Sequence, residues 1–298
     1  MRTPPAISRR LETPRDYNLR LTMIGHRMGF FDPTLRIEEG RVQLSIWTPE
    51  GPASLAIEQQ ESIVEARGWG TGAEWISERL EGLLGFQDEP HRFQPTDEVV
   101  KPLWLQSSGM HLPRHPQVVD RVIQIVLLQR VSWRDGCSAW KRLVAKLGED
   151  APGPVDLMVP PSPRKLASTP YYEMVECGVP PRQARTIQQV AFHARRIETA
   201  AEQGAESLSE HLSAIPGIGP WTIGYVRGSA LGDADAILPG DYNLPHTVAW
   251  VLAREARADE ERMLELLEPY RGHRFRVIRL VWMKGAHAPR RGPRRGGQ

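Results

Sequence analysis

Residues 212–226 read LSAIPGIGPWTIGYV and place two glycines and two prolines between segments of helical periodicity. Gly217 and Gly219 have no Cβ, so the backbone there can adopt left-handed angles and another molecule can approach it closely. Pro220 suits the first position of a new helix, because its missing N–H would have no intrahelical partner anyway. Such a helix opens with free amides and a positive dipole end, which favours phosphate, and the hydroxyl of Thr222 would add a further donor. The alternative is a tight turn that only reverses the chain.

Asp241 follows in the segment ALGDADAILPGDYNL, after a Pro-Gly bend and just before a helix expected from about residue 243. An aspartate in this position commonly caps a helix N terminus. It can also present a carboxylate to a carbon that becomes positively charged during a reaction. The residues alone leave both roles open.

The pattern L-x-x-I-P-G-I-G-P-W-T resembles the helix-hairpin-helix motif, which grips a nucleic-acid backbone without reading its sequence. A Gly/Pro-rich loop and an aspartate after this motif are typical of the DNA glycosylase superfamily named for these features. The chain looks similar to the AlkA-type branch, the inducible DNA-3-methyladenine glycosylases. The motifs that carry the resemblance are WT-x-x-Y, with Trp221, Thr222 and Tyr225, LP-x-DY, with Asp241, and LVW, which ends at Trp282.

This resemblance implies a role for each site residue. Asp241 would stabilise the oxocarbenium-like sugar and orient the attacking water. Trp221, Tyr225 and Trp282 would line a pocket that stacks on an extruded, often cationic base, although each ring taken singly is more typical of core packing. Gly217, Gly219 and Thr222 would bind DNA, and the carbonyls of Ser213, Ile215 and Ile218 would hold a monovalent cation.

The resemblance also predicts how the gap in the duplex is filled. Gln129 and Arg130 stand in the family's plug region, where the usual wedge is an apolar leucine. Arg130 departs from that pattern, so Val131 is a second candidate for the wedge, and a solvated arginine at a helix end is the third interpretation. In bifunctional relatives a lysine follows G-x-G-x and forms a Schiff base with the sugar, but here Trp221 occupies that position. We therefore expect a monofunctional enzyme that needs no cofactor.

The elements that position these residues follow from periodicity. Alternation around residues 35–37 and 42–46, with a turn at 39–40, predicts a hairpin, and residues 53–57 predict another strand. A helix is expected within 72–85. Beyond the proline-punctuated stretch near residue 100 the pattern is helical. The predicted helices are 117–131, 135–147, 164–168, 171–176, 182–203, 207–214, 220–229, 243–257, 259–268 and 273–284.

The predicted fold class is therefore α+β, with an N-terminal antiparallel β-sheet domain that carries helices, followed by an all-helical glycosylase domain. The family resemblance implies that the first domain is similar to half of the TATA-binding protein. The expected boundaries are 1–108 for the N-terminal domain, 109–286 for the helical region and 287–298 for a basic flexible tail. Residues 271–298 contain nine Arg or Lys and no Asp or Glu, which fits contact with phosphates or simple solubility.

Composition bounds the remaining possibilities. With 40% hydrophobic and 25% charged residues and a net charge of +2, the 298-residue chain is typical of a globular protein. We expect a cytoplasmic monomer without a membrane span or secretory signal. Cys137 and Cys177 lack CxxC spacing and are expected to be plain buried thiols. The expected partner is double-stranded DNA with damaged bases. The alternatives are a non-catalytic DNA-binding protein of the same fold and a glycosylase for deaminated or oxidised bases.

Overall fold

A computed structural model describes residues 5–285. The N-terminal part is built around a five-stranded antiparallel sheet in the order β1-β5-β4-β3-β2. Its strands are β1 (Ile7–Glu12), β2 (Leu35–Glu38), β3 (Arg41–Thr48), β4 (Gly51–Gln60) and β5 (Ile63–Trp69). The register pairs Val42 with Ile57 and Leu44 with Leu55, so the alternating apolar side chains of β3 and β4 share one buried face.

Helices cover that face and then form the rest of the chain. Those near the sheet are α1 (Leu19–Met23), α2 (Ala73–Glu78), α3 (Leu80–Leu83) and α4 (Val100–Gln106). The helical region contains α5 (Val118–Val126), α6 (Trp133–Leu147), α7 (Pro163–Ser168), α8 (Tyr171–Glu176), α9 (Pro181–Phe192), α10 (Ala194–Gln203), α11 (Ala205–Ser213), α12 (Pro220–Ala230), α13 (Leu244–Ala253), α14 (Glu260–Leu267) and α15 (Arg274–Met283). Short 3-10 turns span Ile24–His26, Pro90–Arg92 and Glu268–Tyr270, and β6 (Glu149–Asp150) pairs with β7 (Met158–Val159).

Two apolar cores result from this arrangement. One fills the space between the sheet and its helices, and the other lies among the helices from α5 to α15. The second core also takes Met28, Phe93 and Val100, which precede the predicted boundary at residue 108. Residues of the N-terminal part therefore help to form the core of the helical region. Between residues 5 and 285, no helix is long and apolar enough to cross a membrane.

The α+β class is confirmed, and several elements differ from the prediction. The helix expected over 182–203 is two helices, α9 and α10, which meet at His193. The helix expected over 72–85 is likewise divided into α2 and α3 at Arg79. The helix expected over 243–257 ends at Ala253, because Arg254 adopts a left-handed backbone with φ of 61°. The strands β1 and β5 were not predicted.

The thiol prediction holds for one cysteine only. Cys177 is buried, Cys137 is half-buried, and both are free. The tail predicted at 287–298 lies outside the described residues.

Candidate active site

In the turn between α11 and α12, Gly217 has the left-handed backbone that the sequence predicts, whereas Gly219 does not. Gly217 adopts φ of 94°, and a Cβ there would lie 2.2 Å from the Oγ1 of Thr186 on α9. Gly219 has an extended backbone, which any residue adopts, and a Cβ there would meet no atom within 4 Å. Gly219 therefore contributes an uncovered surface instead of an unusual backbone angle.

The N terminus of α12 is free to meet a ligand. Pro220 occupies the first helical position, and no side chain caps the helix through Gly219. The buried side chains of Ile215 and Ile218 anchor the turn from below. The amides of the first turn of α12 therefore lie beside the uncovered main chain of Gly219, which suits an anion.

Thr222 takes a different position from the predicted one. It is 2% exposed, and its Oγ1 accepts a hydrogen bond of 2.9 Å from the Nε2 of Gln129. The same amide donates to the carbonyl of Gly217 over 3.0 Å, and the Nε2 of Gln183 donates to the carbonyl of Gln129. Thr222 and the side chain of Gln129 thus hold the turn from inside, which corrects the prediction that the Thr222 hydroxyl contacts a phosphate.

Arg130 follows directly in the loop between α5 and α6. It is exposed and has φ of 54°, a left-handed value that is uncommon outside glycine. The loop that carries it is linked through Gln129 to the turn at Gly217. The predicted plug residues and the predicted phosphate-binding turn therefore share one hydrogen-bonded unit.

Asp241 and the three predicted pocket rings lie together. The Nε1 of Trp221 donates a 2.7 Å hydrogen bond to the Oδ2 of Asp241. The ring centroid of Trp221 lies 5.6 Å from that of Tyr225, which in turn lies 5.5 Å from that of Trp282. Residues from α12, α15 and the loop before α13 thus form one continuous set. Tyr242, beside Asp241, is 84% exposed and lies outside it.

Asp241 also performs the capping role that its position suggested. Its Oδ1 accepts hydrogen bonds from the amides of Asn243 and Leu244, each over 2.8 Å. The side chain is half-buried, and its two oxygens have separate partners. Capping fixes one oxygen and the indole orients the other, so the carboxylate has a defined direction.

A glycine allows the loop that carries Asp241 to approach α12. A Cβ at Gly224 would lie 1.9 Å from the carbonyl oxygen of Ile237. No other residue type fits at this position without moving the loop. The close approach places the end of the loop next to Trp221, one turn earlier on the same helix.

Two buried arginines close to Tyr225 were not predicted as site residues. The guanidinium carbon of Arg121 lies 5.8 Å from the ring centroid of Tyr225, and burial raises the pKa of Tyr225 while Arg121 and Arg279 lower it. For Arg279, the signal in the sequence is the pattern RFRVIRLVW, in which arginines interrupt the apolar face of α15. Such positions require either a partner or a function.

The three carbonyls predicted to hold a monovalent cation differ in their hydrogen bonding. The carbonyl of Ile215 accepts the amide of Ile218 over 3.0 Å. No backbone or side-chain donor for the carbonyls of Ser213 and Ile218 is found among residues 5–285. Oxygens with unused lone pairs are the ligands that hard cations prefer. In the same part of the chain, no group of three or more His, Cys, Asp or Glu side chains could hold a metal ion.

Comparison with known proteins assigns a family. Residues 123–271, half of the chain, match the family described as HhH-GPD superfamily base excision DNA repair protein. This match spans the turn, Trp221, Tyr225 and Asp241. No curated protein sequence matches the chain.

Solved structures share the fold at low identity. A 3-methyladenine DNA glycosylase from Archaeoglobus fulgidus has a TM-score of 0.79 at 20% identity, over 93% of this chain and 98% of that chain. A Clostridium acetobutylicum 8-oxoguanine glycosylase/lyase, in complex with DNA, has 0.69 at 10% identity over 95% and 98%. A Schizosaccharomyces pombe 3-methyladenine DNA glycosylase bound to abasic DNA has 0.54 at 17% identity over 65% and 95%. The first two alignments extend beyond the helical region to the N-terminal sheet.

Proposed function

Because this chain belongs to the HhH-GPD superfamily of base excision DNA repair proteins, we propose that it is a monofunctional DNA glycosylase. Its proposed substrates are alkylated bases of the 3-methyladenine type in double-stranded DNA. The observation that carries the proposal is the 2.7 Å hydrogen bond between Trp221 and Asp241. It joins the carboxylate to the aromatic set, so a base stacked on those rings would bring its sugar near the acid.

Hydrolysis of the bond between base and sugar requires few groups beyond Asp241 and the three rings. The bond between C1′ and the base nitrogen breaks with its electron pair moving to the base, and C1′ becomes electron-poor. The carboxylate of Asp241 stabilises that charge, and the oxygen of a water molecule bonds to C1′. The proton that this water loses passes through the carboxylate to solvent when the base departs from a cationic nucleotide, and ends on the base when the nucleotide is neutral. An alkylated purine is already a good leaving group. The rings of Trp221, Tyr225 and Trp282 supply stacking and, for a cationic base, about 0.5–2 kcal/mol of cation-π attraction.

Trp221 supports the monofunctional part of the proposal. A bifunctional enzyme of this type needs an amine that attacks C1′ and forms a Schiff base. An indole cannot do this, and Trp221 occupies the place where the related enzymes carry their lysine. The expected product is therefore an intact strand with an abasic site.

The turn would hold the DNA during this reaction. The free amides after Gly219 suit a phosphate, and a monovalent cation on the carbonyls of Ser213, Ile215 and Ile218 would add attraction for the same group. Arg130 would occupy the gap left by the extruded nucleotide, where a guanidinium plane can stack between bases.

The test uses duplexes that each carry one defined lesion, incubated with the full chain and analysed with and without alkali. We expect strand breaks at alkylated purines after alkali only. Asp241→Asn is expected to lower the rate by at least about 10²–10³-fold, since it removes the charge that stabilises the transition state. Breaks without alkali would contradict the monofunctional assignment.

Asp259→Asn is the matched control. Asp259 caps α14 by accepting a 2.9 Å hydrogen bond from the amide of Arg262, and among residues 5–285 no indole donates a hydrogen bond to it. Its substitution tests loss of a capping aspartate without loss of the proposed catalytic group. Equal effects of the two substitutions on the excision rate would assign Asp241 a capping role. A wild-type protein that binds these duplexes but excises no lesion would favour a DNA-binding protein without glycosylase activity.

A glycosylase for deaminated or oxidised bases is the second candidate. Such bases are neutral and require polar groups that contact their edges. The observation in its favour is the presence of Arg121 and Arg279 close to Tyr225.

A further inference from the structure

Arg279 is a buried cation without a partner. It lies on α15 three residues before Trp282, and it is 8% exposed. Its guanidinium makes no hydrogen bond or ion pair with any side chain or carbonyl between residues 5 and 285. A buried charge that lacks both is costly, so proteins rarely retain one without a use.

The surroundings of Arg279 do not neutralise it. Burial lowers the pKa of Arg279 to about 10, and the nearby Arg121 acts in the same direction. Arg121 donates to the side-chain oxygens of Ser229 and Gln124, at 3.0 and 2.9 Å, and to the carbonyl of Gly25 at 3.1 Å. All three acceptors are uncharged, so the two guanidinium groups together form a cationic region behind Tyr225.

The acid that interacts with Arg121 is fully occupied by other donors. Asp32 interacts electrostatically with Arg121, but its oxygens accept hydrogen bonds from the amides of Met28 and Thr34, the Thr34 hydroxyl and the Trp140 indole. Burial raises the pKa of Asp32. It therefore offers no free oxygen to Arg279.

A glycine of the N-terminal part makes room for the guanidinium. A Cβ at Gly25 would lie 2.2 Å from the Nη1 of Arg279 and 2.8 Å from its guanidinium carbon. The group therefore packs directly over the Cα of Gly25. The turn Ile24–His26 therefore lies directly against the arginine.

The position of Arg279 relative to the rings suggests what it binds. Arg279 stands one helical turn before Trp282 on α15, and Gly25, over which it packs, accepts a hydrogen bond from Arg121, which lies 5.8 Å from the Tyr225 ring. The Tyr225 ring contacts both Trp221 and Trp282. A base stacked on these rings would lie beside a guanidinium whose N–H donors are unused. Those donors require an acceptor, and a carbonyl oxygen accepts a charge-assisted hydrogen bond well.

We propose that Arg279 is a specificity-determining residue that donates hydrogen bonds to a carbonyl oxygen of the extruded base. This inference rests on the proposed glycosylase function. It divides damaged bases into two groups. Those with a carbonyl, such as methylated guanine or deaminated adenine, gain this contact and are excised faster, whereas 3-methyladenine and other bases without a carbonyl are held by the rings alone. The guanidinium also stabilises the electron pair that such a base receives when its bond to C1′ breaks.

Four duplexes separate the carbonyl from the charge of the base. Hypoxanthine and 1,N6-ethenoadenine are both neutral, and only the first has a carbonyl. 7-Methylguanine and 3-methyladenine are both cationic as nucleotides, and again only the first has a carbonyl. The quantity measured within each pair is the single-turnover excision rate of the base with a carbonyl divided by that of the base without one.

We expect Arg279→Met to lower this ratio by about ten- to a hundredfold in both pairs, the effect of one lost charge-assisted hydrogen bond. Arg279→Lys keeps the charge but not the planar arrangement of donors, and its ratio is expected to fall between those of wild type and Arg279→Met. Gly25→Ala leaves the arginine in place but displaces its guanidinium, so it is expected to lower the ratio in the same direction. Arg262→Met on the exposed face of α14 is the matched control and is expected to leave rates and ratios unchanged.

The outcomes distinguish this inference from the proposed function. A wild-type protein that excises no lesion contradicts the proposed function itself. An active wild type whose ratios do not change in Arg279→Met, or change equally for all four bases, overturns the role of Arg279 and leaves the glycosylase proposal standing. If Arg279→Met does not fold, as judged by its circular dichroism and melting temperature, the ratios of Arg279→Lys and Gly25→Ala decide in the same way.

Discussion

Arg276 and Arg279 lie one turn apart on α15 and differ in how their charges are met. Arg276 is completely buried and forms a bidentate ion pair with Asp88, at 3.0 and 2.6 Å, which joins the helical region to the segment before α4. Arg279 is almost as deeply buried and has no such pair. The first arginine has the contacts of a structural residue. The second has the contacts that a ligand would complete.

The largest expected effect is on the paired arginine. Arg276→Met leaves Asp88 buried without its cation, and we expect the free energy of unfolding to fall by about 3–5 kcal/mol. Urea unfolding at neutral pH measures it, with Arg262→Met as the exposed control. A loss below about 1 kcal/mol would show that the pair contributes no more than a surface ion pair.

Arg279→Met is expected to change stability in the opposite direction. The pKa of Arg279 in the folded protein is about 10, well below its ordinary value, so folding penalises the charged form. That penalty is fully present below pH 10 and declines only as pH rises from there toward the ordinary pKa of arginine. Replacement by Met should therefore raise the free energy of unfolding at pH 7, by up to about 3 kcal/mol. Destabilisation in the same urea experiment would contradict the description of Arg279 as unpaired.

Glu198 extends the comparison to a buried acid. Its oxygens accept the amides of Val118 and Val119 at the start of α5, and burial raises its pKa from 4.5 to about 7. A raised acid pKa gives stability that is complete below pH 4.5 and lost as pH rises through 7. We expect about 2 kcal/mol less stability at pH 7.5 than at pH 5 from this group.

Glu198→Gln keeps an acceptor oxygen and is expected to reduce that pH dependence. Asp120, whose pKa is raised by burial and by Glu198, contributes in the same direction, so some slope should remain. Urea unfolding from pH 5 to 8 measures both proteins. An unchanged slope in the variant would assign the effect to other groups.

The smallest expected effect concerns an uncharged contact. Gln129→Ala removes the donors to the Gly217 carbonyl and the Thr222 hydroxyl. We expect a loss of about 1–2 kcal/mol, because two partly buried acceptors lose their partner. Thr222→Val removes only one of these contacts, so a smaller loss of unfolding free energy in that variant would support the arrangement. No change in either variant would contradict it.

The sequence predicts what local spacing determines. The prolines and glycines of residues 212–226 indicate the turn, the start of α12 at Pro220 is found where expected, and the periodicity of α6 and α14 matches their observed extent closely. The family resemblance, more than periodicity, brings Asp241 and Trp221 together in advance. Their assigned roles stay predictions until the substitutions are made.

Contacts between residues far apart in the chain could not be predicted from local sequence patterns. The arrangement of Gly25 against Arg279 joins residues far apart in the chain, and no local pattern reports it. The inward direction of Thr222 was missed because a hydroxyl near a helix start is typical of both exposed and buried positions. The strand β1 was missed because it is an edge strand with only Ile7 and Leu11 packed on the core.

The two hydrogen bonds from Gln129 have a mechanical consequence for a bound duplex. They fix the distance between the loop of Arg130 and the turn of Gly217, so these two points cannot adjust separately to a straight helix. A duplex that contacts both would meet them at one fixed separation, and any adjustment would have to come from the DNA. Local stiffness of the DNA would then affect binding, with easily kinked pyrimidine–purine steps next to a lesion favoured over rigid A-tracts, although no side chain reads those flanking bases.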